Sequence, residues 1–378
     1  MSLQTLSPDR VIALIRGAID FQRSEKGVVP LRLPSKTLDF SPDPSLTMMA
    51  RMGSGVRLSA ITNSPVIELE VEETGLRMLP GPRLAATFDL YVDGTFHARL
   101  KALDGPTVVV DAAQPTRPPV IEPGKPSILR FEGLPTRRKQ IEIWLPQSAV
   151  TRIRALRILA GSSVEPCIDT RRHWVHHGSS ISHAMEADSG STTWSAVAAR
   201  QCGWQLTNLG FGGQCMLDGF TARAIANLPA QFISLKLGIN VVGGDTMRER
   251  TFRSALLNFL DIVRDKRPHT PLLIISPILC PVAERHPGPT LRSGSVFRVA
   301  ERPPELNAGS LSLEKIRAIL ASTVDKRRAT GDTNLHYLDG RELFGEADVH
   351  LLPDGLHPNA TGQVLMGERF AERWLGKI

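Results

Sequence analysis

HWVHHGSSISH (173–183), TTWSAVAARQCG (192–203), QLTNLGF (205–211), TARAIANL (221–228) and FISLKLGIN (232–240) follow one another in the second half of this 378-residue chain. Three of them open on short apolar runs and two carry apolar residues at helical spacing, so the text reads strand, helix, strand, helix, strand. The rhythm continues through ERTFRSALLNFLDIVRDK (249–266), PLLIISPI (271–278), EKIRAILASTVDKRR (314–328) and LHYLDG (335–340) to a last helix from about Thr361. Alternating strands and helices with short apolar strands predict parallel βαβ units, a doubly wound sheet covered on both faces. Ligands bind such sheets at the carboxyl ends of the strands, so chemistry is sought in the residues just after each strand.

Outward from this core the texture changes. Ser7-Pro8 before Val11, Ile12, Leu14 and Ile15 predicts a capped, Pro-started short helix. From about Leu31 to Leu159 come short runs such as VRLSAI, VIELEVEE, ATFDLYVDG and KQIEIWLP, divided by Gly and Pro. Period-two alternation over Val66–Val71 and Ile141–Leu145 predicts half-buried antiparallel strands, hence an antiparallel β-sandwich of jelly-roll type. Two domains are expected, a sandwich with a leading helix over 1–165 and an α/β domain over 166–378. Arg137-Arg138-Lys139 reads as a solvated hairpin tip, and the Pro/Gly-rich connection from Pro281 to Ser312 as a lid or binding loop at a strand end.

Composition narrows the function. At 42% apolar and 22% charged residues the chain has the balance of a packed globular protein rather than a disordered, collagenous or coiled-coil one. The net charge of +7 is split evenly, +4 over 1–165 and +3 over 166–378, which argues against a nucleic-acid face, because such faces concentrate their excess. Four cysteines, Cys167, Cys202, Cys215 and Cys280, form no C-x-x-C pair, so neither a disulfide framework nor a cysteine zinc site is expected, and a reducing compartment fits. Asp9, Arg10 and Arg16 interrupt what an export signal would need, and no apolar run reaches the about 18 residues of a membrane span. The expectation is a cytoplasmic protein acting on a small molecule, without membrane or nucleic-acid partner, with a homo-oligomer left open.

Four strand-end segments carry candidate chemistry. Ser180 follows a strand in HHGSSISH, where a serine is either a turn or cap residue or, given a base, a nucleophile. NLGFGG (208–213) is a tight turn that also exposes backbone N–H groups, and it lacks the further features of a dinucleotide fingerprint. Asn240 ends a strand, where its amide either caps the turn or donates to a developing oxyanion. Asp354 and His357 in DGLHPN are three residues apart, a spacing that lets the carboxylate reach a ring nitrogen and set the tautomer.

Gly-x-Ser, then Gly, then Gly-x-Asn, then Asp-x-x-His in that order resembles the SGNH (GDSL-like) hydrolases from about Trp174 to the C-terminus. The resemblance implies a flavodoxin-like doubly wound sheet, with Ser180 as nucleophile, His357 as base and later acid, and Asp354 orienting it. It further implies an oxyanion hole of the Ser180 and Gly213 backbone N–H groups and the Asn240 amide, Gly210 fitting the glycine position less well. The chain departs from the family in Gly178-Ser179-Ser180, where many members have Gly-Asp-Ser, and in Val241 after Asn240, where many have Asp. It is similar to a subgroup with an N-terminal β-sandwich carrying an Asp-Leu-Tyr signature, which Phe88-Asp89-Leu90-Tyr91 matches.

The implied function is a serine esterase that removes a small, acetyl-like acyl group from a sugar or other polyhydroxylated metabolite, with no cofactor. Acyl transfer through the same acyl-enzyme is one alternative. A zinc-dependent deacetylase using His173, His176, His177 and His183 is another, disfavoured because adjacent strand residues 176 and 177 point to opposite faces. Met216, Arg285 and His286 are candidate substrate-binding residues, Arg292 in the same long loop is a candidate contact to an anionic or sugar substrate on position alone, and Met185, Phe211 and Leu217 either line an acyl pocket or pack in the core. Trp194, Trp204 and Trp374 are expected to supply core packing area.

Overall fold

A computed structural model describes residues 2–41, 43–111, 114 and 116–374. The chain divides into two compact units, Met1–Thr170 with Asp188–Ser191, and Arg171–Ala187 with Thr192–Ile378.

The first unit holds two β-sheets. In one, Ile67–Leu79 and Ala149–Leu159 pair antiparallel at the centre, flanked by Gly27–Leu31 and Asp20–Ser24 on one side and by Thr107–Asp111 and Val120–Glu122 on the other. Thr107–Asp111 joins Ile67–Leu79 in parallel, an exception to the antiparallel expectation. The other sheet runs Val164–Pro166, Arg57–Thr62, Lys139–Trp144, Ala86–Val92, Thr95–Ala102. Alternation does what the sequence pattern demands: Ile67, Leu69 and Val71 are buried while Glu68 and Glu70 point outward to Arg157 at 3.0 and 2.6 Å. Leu58, Phe88, Leu90 and Ile143 of the second sheet meet Leu69, Val71, Ile153 and Leu156 of the first in one core, closed by Val11 and Leu14 of the helix Pro8–Leu14. Ser7 caps that helix and Pro8 starts it.

Two features of this unit lay outside the pattern. Arg137-Arg138-Lys139 is no hairpin tip, because Ser127–Phe131 before it pairs in one sheet and Lys139–Trp144 after it in the other. Lys139 is accordingly 2% exposed, with Nζ donating to the Ser64 carbonyl at 2.8 Å, while Arg137 and Arg138 remain in solvent. The Asp89 carboxylate, fully buried, takes a bidentate ion pair from Arg99 at 2.7 and 2.9 Å and a hydrogen bond from Ser191 Oγ at 2.6 Å. Tyr91 Oη lies 3.2 Å from the same hydroxyl. The Asp-Leu-Tyr signature thus binds the Asp188–Ser191 segment into the first unit.

The second unit is a five-stranded parallel sheet, β1 (His173–Gly178), β2 (Gln205–Gly210), β3 (Phe232–Lys236), β4 (Leu272–Ile275) and β5 (Leu335–Leu338), in the order β2-β1-β3-β4-β5. That is the flavodoxin-like order of a doubly wound sheet. All of β3 and β4 is buried, as double coverage requires. Trp174, on one face of β1, stacks on Phe370 of the last helix at 4.9 Å and meets Trp194 and Trp204. On the opposite face His177 stacks on Phe259 of the helix Glu249–Lys266 at 5.8 Å. The Pro281–Ser312 connection is not structureless: Thr290–Ser293 and Val296–Val299 form a β-hairpin within it. Among the described residues no helix is long and apolar enough to cross a membrane.

Candidate active site

The registers of β1, β2 and β3 place Gly178, Gly210 and Lys236 side by side, so the chain leaves all three strands at one edge. Ser180, Gly213 and Asn240 follow within a few residues, which sets three sequence-distant segments at the same carboxyl end of the sheet.

Ser180 is the first residue of a short helix, Ser180–His183, and it is Ser179 that caps it, accepting from the Ile181 N–H at 3.4 Å. The cap role falls to Ser179, and the Ser180 hydroxyl is left for other work. Its Oγ lies 2.9 Å from His357 Nε2. His357 Nδ1 lies 2.7 Å from Asp354 Oδ2, and Asp354 Oδ1 accepts from the backbone N–H groups of Leu356 and His357 at 2.9 and 2.7 Å. Burial pushes the Asp354 carboxyl up, but the hydrogen bonds and positive charge of His357 outweigh it and hold it below 3.8. Burial likewise pushes His357 down, and the negative charges of Glu186 and Asp354 outweigh it, leaving the imidazole above 6.5 against a weaker opposing pull from Arg292.

Only a neutral imidazole accepts a proton, so if His357 serves as the base its raised pKa means that activity is lost as pH falls through it. The profile of kcat/KM for an aryl acetate is expected to rise with pH on a limb whose midpoint lies above 6.5. A midpoint below 6.5 contradicts this electrostatic account.

Phe211, Gly212, Gly213 and Gln214 form a turn closed by the Gln214 N–H to the Phe211 carbonyl at 3.1 Å. Gly213 stands at the third position with φ +72°, a conformation a side chain would strain, and its backbone is exposed. Asn240 is tied to that turn: its Oδ1 accepts from the Cys215 N–H at 3.0 Å, which leaves the Nδ2 hydrogens as donors. Gly238 just before it, with φ +110°, packs where a Cβ would stand 2.4 Å from Ile316 Cγ2. Met216 is half-buried in the same loop and accepts from Thr246 Oγ1 at 3.4 Å.

The remaining candidate residues lie in the following surroundings. Arg285 and His286 are exposed and line a cleft of about 410 Å³ with Leu279, Pro281, Glu284, Glu346 and Val349, a set that includes none of Ser180, Asp354 or His357. Phe211 is fully buried and Leu217 nearly so, so both serve packing. The histidines of β1 serve the scaffold: His176 bridges Ser234 Oγ at 2.7 Å and Ser182 Oγ at 2.8 Å. His177 Nδ1 donates to the Leu209 carbonyl at 2.7 Å, so Nε2 is left to accept from the Cys215 thiol at 3.5 Å. Burial holds His177 near 4 and the Cys215 thiol up to about 12, so this Cys–His contact offers no rival nucleophile. Among the described residues no three His, Cys, Asp or Glu side chains gather to hold a metal ion.

Three residues that the sequence reading did not assign to catalysis act on the pair. Phe297 of the hairpin donates its N–H to the Asp354 carbonyl at 2.9 Å and sets its ring edge-on to His357 at 5.6 Å. The hairpin is held at its other side too, Thr290 Oγ1 donating to the Gly243 carbonyl at 3.2 Å, so it runs from the Asn240 helix to the Asp354–His357 turn. Arg292 of the hairpin and Glu186 act on the imidazole through their charges. Position in the Pro281–Ser312 connection was the one signal for Phe297 and Arg292; nothing in the local pattern marks Glu186.

The sequence model of the GDSL-like lipase/acylhydrolase family matches residues 177–365. No curated protein matches the chain in sequence. Among solved structures, a salicylyl-acyltransferase from a tetracycline biosynthetic pathway is 28% identical, with TM-score 0.78, over 94% of this chain and 92% of that one. A protein of Bacteroides ovatus described as a GDSL-like lipase is 18% identical, with TM-score 0.71, over 99% and 96%. An acetyl xylan esterase of the rumen bacterium Butyrivibrio proteoclasticus is 12% identical, with TM-score 0.57, over 100% and 99%, a likeness of fold. Since the family match spans half of its residues, the chain belongs to the GDSL-like lipase/acylhydrolase family and is a carboxylic ester hydrolase.

Proposed function

We propose that this enzyme is a serine esterase that removes a small, acetyl-like acyl group from a hydroxyl of a sugar or other polyhydroxylated metabolite. The observation that carries the reading is the run of contacts from Ser180 Oγ to His357 Nε2 at 2.9 Å and from His357 Nδ1 to Asp354 at 2.7 Å.

The Ser180 oxygen bonds to the acyl carbon while its proton passes to His357 Nε2, and the carbonyl electron pair moves to the oxygen. That oxyanion is stabilised by the Ser180 and Gly213 backbone N–H groups and by Asn240 Nδ2, donors already oriented before the charge develops. As the carbonyl re-forms, the bond to the alcohol oxygen breaks and His357 returns the proton to it. Water then repeats the sequence, its proton going to His357, and releases the acid and the free serine. A polar alcohol suits surroundings in which the charges of Glu186 and Arg292 both reach His357.

The test is a series of p-nitrophenyl esters from acetate to octanoate with the purified enzyme. A small acyl site predicts kcat/KM falling at least about tenfold across the series, since each misfitting methylene in a fitted pocket carries a discernible penalty. A rate that rises with chain length would overturn the small-acyl reading. Acyl transfer is the second reading, favoured by the 28% identity with an acyltransferase over nearly the whole of both chains. It predicts that added alcohols capture the acyl group as a new ester in preference to water.

A further inference from the structure

The hairpin of Thr290–Ser293 and Val296–Val299 sets Arg292 directly opposite Phe297. Phe297 spends its N–H outside the hairpin, on the Asp354 carbonyl at 2.9 Å, so the two form a non-hydrogen-bonded pair. In such a pair the side chains stand closest, and they share one face of the ribbon. The Phe297 ring marks that face, since it lies edge-on to His357 at 5.6 Å. Two residues back, Thr290 stands on the same face and its Oγ1 donates to the Gly243 carbonyl at 3.2 Å. The neighbouring pair, Leu291 and Arg298, points the other way. Strand register therefore puts Arg292 on the His357 side of the hairpin.

Arg292 is exposed, and its Nε donates to the Gly294 carbonyl at 3.2 Å, a bond within the hairpin itself. Among the described residues no carboxylate pairs with it, which leaves Nη1 and Nη2 to a ligand. Arg302, further along the same connection, is spent on the fold: it donates to Asp245 at 2.6 Å, Asn307 at 2.7 Å and the Gly288 and Leu306 carbonyls at 2.9 and 3.2 Å. With Nε turned to the backbone, the outer nitrogens of Arg292 form a two-pronged donor that matches the two oxygens of a carboxylate. Of the hairpin residues on this face, Thr290, Arg292, Phe297 and Val299, Arg292 is the one cation, a single charge that suits a monoanion. In the proposed mechanism the leaving oxygen takes its proton from His357, so the alcohol half of the ester lies on the His357 side and the acyl oxygen on the Gly213–Asn240 side. A guanidinium on the His357 side therefore addresses the alcohol.

Resting on the esterase reading above, we infer that Arg292 determines specificity for the alcohol: its Nη1 and Nη2 donate to a carboxylate carried by the alcohol half of the ester, beside the Phe297 ring. The substrate class that follows is the acyl ester of a hydroxy acid, a sugar acid being its polyhydroxylated form. Guanidinium and carboxylate pair in two parallel N–H···O bonds, which gives orientation as well as attraction.

Two aryl acetates of the same size, 4-acetoxyphenylacetate and 4-acetoxyphenylacetamide, differ by a carboxylate in place of an amide, and the methylene keeps that difference away from the leaving oxygen. The full-length wild type is expected to favour the carboxylate in kcat/KM by at least about fivefold, the scale of a solvent-exposed ion pair of good geometry. Arg292→Gln is expected to bring the ratio to within about twofold, and because both esters use the same His357 the ratio cancels any effect of the lost charge on the imidazole. Arg298→Gln removes the same charge from the opposite face of the hairpin and should keep the wild-type preference. A wild type without preference, an Arg292→Gln variant that retains it, or an Arg298→Gln variant that loses as much, overturns the inference. Should Arg292→Gln fail to fold by circular dichroism, Arg292→Lys decides: it keeps the charge without the two-pronged geometry, so the ratio should fall at least about twofold, and an unchanged ratio overturns the inference as well. The esterase reading fails separately, if Ser180→Ala still cleaves either acetate.

Discussion

Ser180→Ala is expected to lower kcat for p-nitrophenyl acetate by about 10⁶-fold while leaving the fold intact, the scale of loss when a serine nucleophile is removed from a Ser-His-Asp set. The physical reason is that the first step needs an oxygen that can both bond to the acyl carbon and shed its proton within reach of a base. Ser180 Oγ is 2.9 Å from His357 Nε2, and the neighbouring hydroxyls are already committed, Ser179 to capping the helix and Ser182 to His176. Cys215 cannot stand in, since burial keeps its thiol protonated at neutral pH. Residual cleavage above about a tenth of the wild-type rate would show that the ester is opened elsewhere. Ser180 is half-buried at the start of a short helix, so losing one hydroxyl should leave the melting temperature within a few degrees, and that measurement separates lost chemistry from lost fold.

Asp354→Asn should come next, with a fall in kcat of about 10⁴-fold. Asp354 Oδ1 holds two backbone N–H groups, those of Leu356 and His357, and any replacement must keep an acceptor there to preserve the turn. An asparagine would therefore keep its carbonyl oxygen toward the backbone and turn its NH₂ toward His357 Nδ1. A donor facing Nδ1 forces the ring hydrogen onto Nε2, where it meets the Ser180 hydroxyl and leaves nothing to accept that proton. The variant keeps its shape and loses its base. It also removes one of the charges that hold His357 above 6.5, so the acid limb of whatever activity survives should move to lower pH. A loss of less than about tenfold would mean that Asp354 does not set the tautomer.

The readable parts of this protein share a short range. Alternating burial along Ile67–Leu79 and the unbroken burial of β3 and β4 follow from neighbours one or two residues apart, and the strand–helix rhythm of 173–374 follows from periodicity within single elements. The contact between Asp354 and His357 belongs to the same class, because one turn of backbone spans it. Lys139 departs from its local pattern for the complementary reason: a basic run reads as solvated, but the chain crosses to another sheet there, and the Ser64 carbonyl that receives its ammonium is 75 positions away. Arg285 and His286 sit in the connection where substrate contacts are expected, and it is the folding of that connection into a hairpin that brings Phe297 to His357.

By itself the sequence determined the two architectures, the kind of chemistry available at the strand ends and the family, because each is written in residue types at fixed short spacings. Only the tertiary structure decided that Ser180 meets His357 across 177 positions and that His176 and His177 are spent on the scaffold. Such pairings depend on the order in which strands lie in the sheet and on where a loop comes to rest. Free energies of that kind are summed over many distant contacts, and no local pattern records the sum.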